Sequence, residues 1–263
     1  AFDLAEAALL LASRDPSAAD INTYRIHLKS LYAAAEKCAE ELWPGEINPT
    51  SHEMAGVLST VISSTFRYHG DEDNYDDLDN ANLMRVIDRR KGLPVALGIL
   101  YIATARSQGW RVAGLNFPGH FLVRLESHDG TRVILDPFHG GHVLDAQALR
   151  DLLKIVTGPN EELEPRHYKT VSDRDILVRL QNNVKARRLG LGQMEDALDT
   201  LKTMQLLLPE SVALCREAGF LHLRLGQPTQ ALRTLEGYLT RAPAGPERSR
   251  IETVVKDLKQ RIH

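Results

Sequence analysis

The 263-residue sequence is poor in the residues that build disulfide and cysteine-based metal sites. It contains two cysteines, Cys38 and Cys215, which lie far apart and outside any zinc-ligand spacing. Their neighbours have helical patterns, and a free cysteine in a helix is usually a small core residue. A disulfide-stabilised fold is therefore excluded, and a reducing, cytoplasmic setting is the simplest prediction.

Long apolar runs and long basic runs are also missing. The N-terminal stretch 1–16 has an apolar segment too short to cross a bilayer and lacks the basic start of a signal peptide. The formal net charge is −3, and the longest cluster of cations is the RRK at 89–91. These features predict neither membrane insertion nor nucleic-acid binding.

The sequence begins with helical patterns and later changes to the two-residue period of strands. Residues 1–66 have helical patterns, and Thr50 with Glu53 three residues later predicts a capping box. The acidic segment 70–82 has the composition of a solvated loop and lacks calcium-ligand spacing. The run VALGILYIATARSQ that begins at 95 is apolar on nearly all sides, which predicts a helix buried at the centre of a domain.

Three strand-like runs follow from residue 110: WRVAGLNF, HFLVRLES and TRVILDPF. The SHDG between the last two predicts an antiparallel hairpin. A two-residue Asp-Gly turn would set His120 opposite His139, whereas a three-residue loop with Gly130 in a bulge would set His120 opposite Asp136. Because side chains alternate along a strand, this register decides whether His120 and Asp136 share a face.

The C-terminal third contains an internal repeat with the spacing of tetratricopeptide units. Three residues recur 34 positions later: Ala197, Leu201 and Pro209 return as Ala231, Leu235 and Pro243. The second unit also has Gly219 where two helices would cross closely, whereas the first has Lys185 there. We predict a helical lobe plus core over 1–156, a linker over 157–173, and two repeats with a capping helix over 174–263.

The residues His120 and Asp136 are the candidate catalytic pair. An aspartate can hold an imidazole in one tautomer, and that imidazole can activate a nucleophile at the N-terminus of a buried helix. The alternative is a structural role, in which His120 fixes the hairpin to the central helix. A metal site built from Asp136, His139 and His142, with or without His120, is a further possibility. However, His139 and His142 flank a Gly-Gly turn, and such turns usually exist because the backbone conformation needs glycine. No metal and no cofactor are predicted.

Three blocks, RRKGLPVALGILYIATARSQGW, FPGHFLVRL and ILDPFHGG, occur in an order and spacing that resemble one known family. The sequence resembles the SirB1-type branch of the transglutaminase-like superfamily, which joins such a core to C-terminal tetratricopeptide repeats. The resemblance implies an α+β fold: a papain/transglutaminase-like core with a buried central helix and a small antiparallel sheet, a helical N-terminal lobe, and α-helical repeats.

The resemblance also implies what the site can do. Catalytic members open the central helix with G-x-C, whereas here Gly92-Leu93-Pro94 places Pro94 at the nucleophile position. We therefore predict a non-catalytic module that binds a peptide or protein partner through the cleft and the repeats. The alternative is a hydrolase or acyl-transfer-type enzyme that acts on an amide or peptide, using His120 and Asp136 with a water, a metal or a non-local nucleophile. The residues that the family blocks suggest for binding are Asn74, Tyr75, Arg90, Asn116 and Pro118.

Overall fold

The chain begins with helices, as its capping signals predict. The computed structural model describes residues 3–15, 18–45 and 48–262, so residues 1, 2 and 16 of the N-terminal stretch lie outside the described part. The helices of the first two thirds are α1 Leu4–Ala12, α2 Ile21–Leu42, α3 Ser51–Leu58, α4 Leu83–Arg89, α5 Pro94–Ser107, α6 Ala146–Thr157 and α7 Asp173–Gly190. Thr50 and Glu53 form the predicted capping box on α3.

Helix α3 continues into a π-helix over Ser59–Thr65. The Phe66 N–H donates to the Val61 carbonyl, five residues back, at 2.9 Å. The Ser59 hydroxyl donates to the Gly140 carbonyl at 2.7 Å. The π-helix therefore contacts the loop that follows the second strand of the predicted hairpin.

The strands form one five-stranded antiparallel sheet and a separate parallel pair. The large sheet has the order β6-β5-β4-β3-β7, with β3 Arg111–Leu115, β4 Leu122–Glu126, β5 Arg132–Asp136, β6 His142–Leu144 and β7 Thr170–Val171. The pair joins β1 His69–Gly70 to β2 Lys91–Gly92. Helices and a small antiparallel sheet together confirm the predicted α+β class.

The β4–β5 hairpin has neither of the two registers considered. Val123 lies opposite Leu135, and Glu126 lies opposite Arg132. The loop has Gly130 at φ +86°, as a bulge requires, but it is centred one residue further along the chain than predicted. This register is shifted by two residues from the one that would pair His120 with Asp136, and a shift of two keeps both side chains on one face.

The sheet lies between two helices of the first compact unit, residues 1–180. Alternation along the chain sends Phe121 toward Gly98 of α5, while Leu122 packs in a cluster with Leu149 and Leu153 of α6. Helix α5 is buried along nearly its whole length, from Pro94 to Ala105. The prediction of a buried central helix is thus confirmed.

The start of α5 is held by the acidic segment, which is not simply a solvated loop. Asp71 is 2% exposed, and its carboxylate accepts a hydrogen bond from Arg89 at 2.9 Å. The Asp71 N–H donates to the Gly92 carbonyl, and the Leu93 N–H donates to the carbonyl of the buried Asn80. The acidic segment therefore folds around the Arg89 guanidinium, an arrangement that composition alone does not reveal.

The second compact unit, residues 181–263, contains the repeat helices. They are α8 Met194–Leu207, α9 Val212–Arg224, α10 Pro228–Arg241 and α11 Pro246–Ile262. A β-carbon on Gly219 would lie 2.4 Å from a Leu235 methyl, so the predicted close crossing of α9 and α10 is present. In the first repeat Lys185 occupies the position of this glycine. Its side chain is buried and donates to Glu217 at 2.6 Å.

The predicted linker, residues 157–173, contains more structure than a linker needs. A 3₁₀-helix covers Pro165–Tyr168, and β7 pairs with β3 as an edge strand of the large sheet. The boundary between the compact units falls between residues 180 and 181, inside α7. Within the described part of the chain, no helix is both long enough and apolar enough to cross a membrane.

Two glycines in helices are expected to respond oppositely to the same substitution. A β-carbon on Gly98 would lie 2.4 Å from the Phe121 ring, whereas nothing lies within 4 Å of one on Gly56 in α3. We expect Gly98→Ala to lower the free energy of unfolding by about 1–3 kcal/mol through overpacking. The control, Gly56→Ala, is expected to raise it by up to about 1 kcal/mol through helix propensity. Urea titrations measure both, and equal shifts would contradict the close contact between Gly98 and the Phe121 ring.

Candidate functional site

His120 ends a tight turn that precedes β4. Its N–H donates to the Phe117 carbonyl at 3.1 Å, Pro118 occupies the second position, and Gly119 has φ +66°. This is the pattern of a type II turn, in which the third position favours glycine. The FPGH motif therefore forms a turn before the strand rather than the start of the strand itself.

Asp136, at the end of β5, brings the site together. Its side chain is buried at 3% exposure. Oδ1 accepts hydrogen bonds from His120 Nε2 at 2.8 Å and from the Phe138 N–H at 2.9 Å. Oδ2 accepts one from His139 Nδ1 at 2.6 Å. The structure thus joins the predicted pair and adds a second histidine to it.

The protonation of this cluster follows from the carboxylate. Burial raises the pKa of Asp136, but the hydrogen bonds from His120 and then from His139 outweigh burial and hold the pKa below its usual value. An ionised carboxylate only accepts hydrogen bonds, so His120 Nε2 and His139 Nδ1 carry the hydrogens. In neutral His120 the lone pair then lies on Nδ1, which has no hydrogen-bond partner among the described residues. Chemically, that nitrogen can accept a proton.

An aromatic surface flanks the pair. The rings of His120 and His139 are 6.1 Å apart and nearly parallel, and the Phe138 ring lies 5.2 Å from His139. The Tyr75 ring packs edge-on against Phe138 at 5.8 Å and is 42% exposed. Of the residues predicted to bind, Tyr75 is therefore beside the site.

Arg179 of α7 is a site residue that the sequence does not reveal. Its guanidinium donates to the His120 carbonyl at 2.7 Å and to the Asn116 side chain. It also lies over the Phe121 ring, 5.6 Å from the centroid. Arg179 connects the predicted residue Asn116 to the turn that contains Pro118 and His120. A lone arginine 59 residues after His120 in the sequence gives no signal of this contact.

The other two predicted binding residues have different surroundings. The Asn74 carbonyl accepts a hydrogen bond from the Asn80 side chain, so Asn74 helps to fold the acidic segment. The Arg90 guanidinium donates to His27 Nε2 at 2.7 Å and to the Tyr68 hydroxyl at 2.6 Å. Arg90 has φ +60° at the end of α4, and its side chain enters this inner cluster.

A nucleophile for this site would be expected at the start of α5 or on one of the two cysteines. Pro94 is the first residue of α5. Burial, together with the Glu41 carboxylate, raises the pKa of the Cys38 thiol, which disfavours the thiolate. Cys215 lies in the second compact unit, where its thiol donates to the Thr234 carbonyl at 3.3 Å.

Three potential metal ligands converge at the site. Ligand atoms of His120, Asp136 and His139 all lie within 4.8 Å of one another. His142, which the sequence also suggested, is exposed on β6 and is not part of this set within the described chain. A pocket of about 430 Å³ opens beside His139, lined also by Ser63, His69, Glu72, Lys91 and His142.

Comparison with known proteins identifies the family of the chain. The sequence profile of the transglutaminase-like superfamily matches residues 22–182, more than half of the chain. The chain belongs to the transglutaminase-like superfamily. The tetratricopeptide repeat profile matches residues 184–256 of this transglutaminase-like protein, which confirms the internal repeat.

Three relatives of this transglutaminase-like protein each match well over half of the chain. A UPF0162 protein of Xylella fastidiosa is 32% identical over 92% of this chain and 84% of its own length. Protein SirB1 of Salmonella typhimurium is 26% identical over 62% of this chain and 61% of its own. F-box only protein 21 of Mus musculus is 24% identical over 66% of this chain but only 28% of its own. The SirB1 resemblance predicted from the three motif blocks is confirmed.

The cluster around Arg90 predicts a pH dependence of stability. Burial, followed by the Arg90 charge, lowers the pKa of His27 to about 4, from about 6.5 in an unfolded chain. As the pH falls, the unfolded state binds a proton before the folded state does, so stability is lost between about pH 6.5 and pH 4. We expect His27→Gln to reduce this loss, measured as unfolding free energy against pH.

The matched control is His128→Gln, which changes an exposed histidine in the β4–β5 loop. It is expected to keep the wild-type slope. If His27→Gln also keeps that slope, the assignment of a neutral, half-buried imidazole to His27 is wrong.

Proposed function

We propose that this transglutaminase-like protein is a non-catalytic module that binds a peptide or protein partner. The observation that carries the proposal is Pro94 as the first residue of the buried helix α5. No cysteine, serine or threonine lies between Gly92 and Ala103. Proline suits a first helical turn but has no nucleophilic group. The two free cysteines fit a reducing, cytoplasmic setting.

The missing nucleophile removes the covalent route. In a site of this type the His–Asp pair serves the nucleophile, and loss of that residue alone costs nearly the whole acceleration. The raised thiol pKa of Cys38 argues against a substitute from α2. The His120–Asp136 pair then acts as a scaffold for the turn and loop that border the cleft.

The surface beside that pair suits a peptide. Tyr75 and His139 are both about half exposed on either side of the Phe138 ring. Aromatic side chains with polar ends are enriched where proteins bind partners, because each offers a large contact area and a hydrogen bond. Arg179 fixes the neighbouring turn through the His120 carbonyl.

The repeat helices offer a second surface of the same kind. On α9, Phe220 is 38% exposed, and Arg224, one turn further along, is exposed as well. Glu217 lies on the same side of α9 and pairs with Lys185. Tetratricopeptide arrays commonly bind peptide segments along the surface of successive helices.

The second candidate function is hydrolysis or acyl transfer on an amide or peptide. It is favoured by one observation, the lone pair on His120 Nδ1 that Asp136 orients by holding Nε2. In that mechanism His120 would act as the general base toward a water, with or without a metal. Turnover of an amide substrate that His120→Ala abolishes would favour this enzyme over the binding module.

The assignment of position 94 is tested by restoring a thiol. We expect Pro94→Cys to yield a cysteine whose alkylation by iodoacetamide has a pH midpoint below the usual value of about 8.5, because the helix N-terminus and His120 stabilise the thiolate. Adding His120→Ala should return the midpoint toward that value. Peptide mass spectrometry distinguishes this label from those on Cys38 and Cys215.

Pro228→Cys is the matched control, since Pro228 also begins a helix, α10. Its thiol is expected to keep its midpoint when His120 is replaced. A Pro94→Cys thiol that is unreactive, or as insensitive to His120 as the control, would contradict the assignment of Pro94 to the nucleophile position.

The binding proposal is tested with a peptide selected from a display library on the purified chain. We expect Tyr75→Ala and Arg224→Glu each to raise the Kd by about tenfold or more, as for central interface residues. Pro94→Ala should leave the Kd unchanged, because Pro94 has no role in contact. Fluorescence polarisation measures each affinity.

Arg233→Glu, which reverses an exposed charge on α10, is the control for Arg224→Glu and should leave the Kd unchanged. The reverse pattern, in which Pro94→Ala weakens binding and Arg224→Glu does not, would contradict the proposal. Equal affinity of residues 174–263 alone would show that the core takes no part in binding.

A further inference from the structure

We propose that His120, Asp136 and His139 form a binding site for a divalent first-row transition-metal ion of the zinc type. The three residues come from the turn before β4, the end of β5 and the loop after it. Their ligand atoms lie within 4.8 Å of one another. The partner-binding proposal uses the same residues as a scaffold and surface, and titration with Zn²⁺ in the absence of peptide tests the metal site separately.

The donor set and its spacing suit such an ion. Two imidazoles and one carboxylate are a common three-residue set for zinc and related ions, with a fourth position left open. Each ligand atom lies about 2.0–2.2 Å from the metal, so ligand atoms of one ion are at most about 4 Å apart. The widest pair, now within 4.8 Å, would close by less than about 1 Å. Each imidazole nitrogen, now hydrogen-bonded to a carboxylate oxygen at 2.8 or 2.6 Å, would move slightly away from that oxygen to admit the ion.

His139 is the reason to assign a metal rather than a catalytic pair alone. Orientation of His120 needs only Oδ1 of Asp136, and that bond is present at 2.8 Å. His139 adds a second imidazole on Oδ2 at 2.6 Å, with its ring tilted by only 19° from that of His120. Both rings thus direct a nitrogen at one carboxylate, which brings the three potential ligands to one place.

Binding changes the tautomers but needs no other group to move far. The ion takes the place of the hydrogens on His120 Nε2 and His139 Nδ1, and each neutral ring keeps its hydrogen on the other nitrogen. For His139 that nitrogen is Nε2, and Glu72 Oε1 lies 3.9 Å from it. At 3.9 Å the two atoms are not hydrogen-bonded, but the exposed Glu72 side chain is close enough to accept that N–H after a small movement. A carboxylate in this position is the usual support for a metal-bound histidine.

Access and an unpaired hydroxyl complete the case. His139 is half exposed at the pocket of about 430 Å³, so it can be reached from solvent. Glu72, Asp73 and Lys91 also line this pocket, and the Lys91 ammonium lies 3.8 Å from the Asp73 carboxylate. On the inner side, the Tyr101 hydroxyl is buried and has no hydrogen-bond partner among the described residues. It lies beside Gly141, whose N–H donates to the Asp136 carbonyl. A water on the open position of the ion would offer that hydroxyl a partner.

The test uses tag-free, full-length protein and Zn²⁺ as the probe, with isothermal titration and metal analysis after dialysis. We expect one Zn²⁺ per chain. His139→Ala and Asp136→Asn should each weaken binding by at least about 100-fold, since even the loss of a supporting group costs roughly 10–100-fold. Because His139 is half exposed, His139→Ala is the variant least expected to unfold, and circular dichroism checks it.

His142→Ala is the matched control, since His142 lines the same pocket but lies outside the cluster. It should keep the wild-type affinity, and excess Mg²⁺ should not displace Zn²⁺, because Mg²⁺ prefers oxygen ligands. Absence of stoichiometric Zn²⁺, unchanged affinity in His139→Ala, or loss of binding in His142→Ala would each overturn the assignment.

Discussion

The Asp136 carboxylate is the group on which the arrangement of the site depends. A buried negative charge is costly unless hydrogen bonds surround it, and Asp136 receives them from two imidazoles and the Phe138 N–H. The His120 imidazole comes from the turn before β4, and the other two donors come from the loop after β5. The Asp136 carbonyl also accepts the Gly141 N–H. The turn before the hairpin and the loop after it are therefore fixed by one side chain.

That carboxylate can hold its neighbours only because the core beneath it is tightly packed. Gly98 lets the Phe121 ring lie directly against α5, and Gly141 similarly leaves room for the Tyr101 hydroxyl. Larger residues at either position would push the hairpin or the loop away from the helix. The polar cluster and the apolar contacts are thus parts of one structure, in which the packing of the Phe121 and Tyr101 side chains against glycines sets the positions of the histidines.

Local signals in the sequence were sufficient for the elements whose causes are local. The capping box at Thr50 and the apolar surface of α5 each rest on residues within a few turns of one another. The repeat around Leu235 rests on a fixed spacing of 34 residues, which the sequence also shows directly. The hairpin register was wrong, because several loop geometries suit SHDG and the choice depends on contacts across the sheet.

The contacts that the sequence did not predict join residues that are far apart in the chain. Arg179 contacts His120 across 59 residues, and Arg90 turns toward His27 across 63. Neither contact leaves a pattern in a single sequence, because any arginine on a helix has the same local appearance. The sequence suggested His139 as a possible metal ligand, but its hydrogen bond to Asp136 depends on how the loop after β5 closes.

The π-helix that follows α3 has a consequence for chain length. A π turn holds about one residue more than an α turn, so Ser59–Thr65 stores an extra residue inside a continuous helix. Each π residue turns the helix by less than the roughly 100° of an α residue, so one residue fewer with α geometry restored would leave the two ends of the segment in nearly the same orientation. Ser59 and Ser63 both lie against Gly140, on the side of the helix that meets the loop after β5. The helix beside the site can therefore gain or lose one residue here while its two ends keep their register.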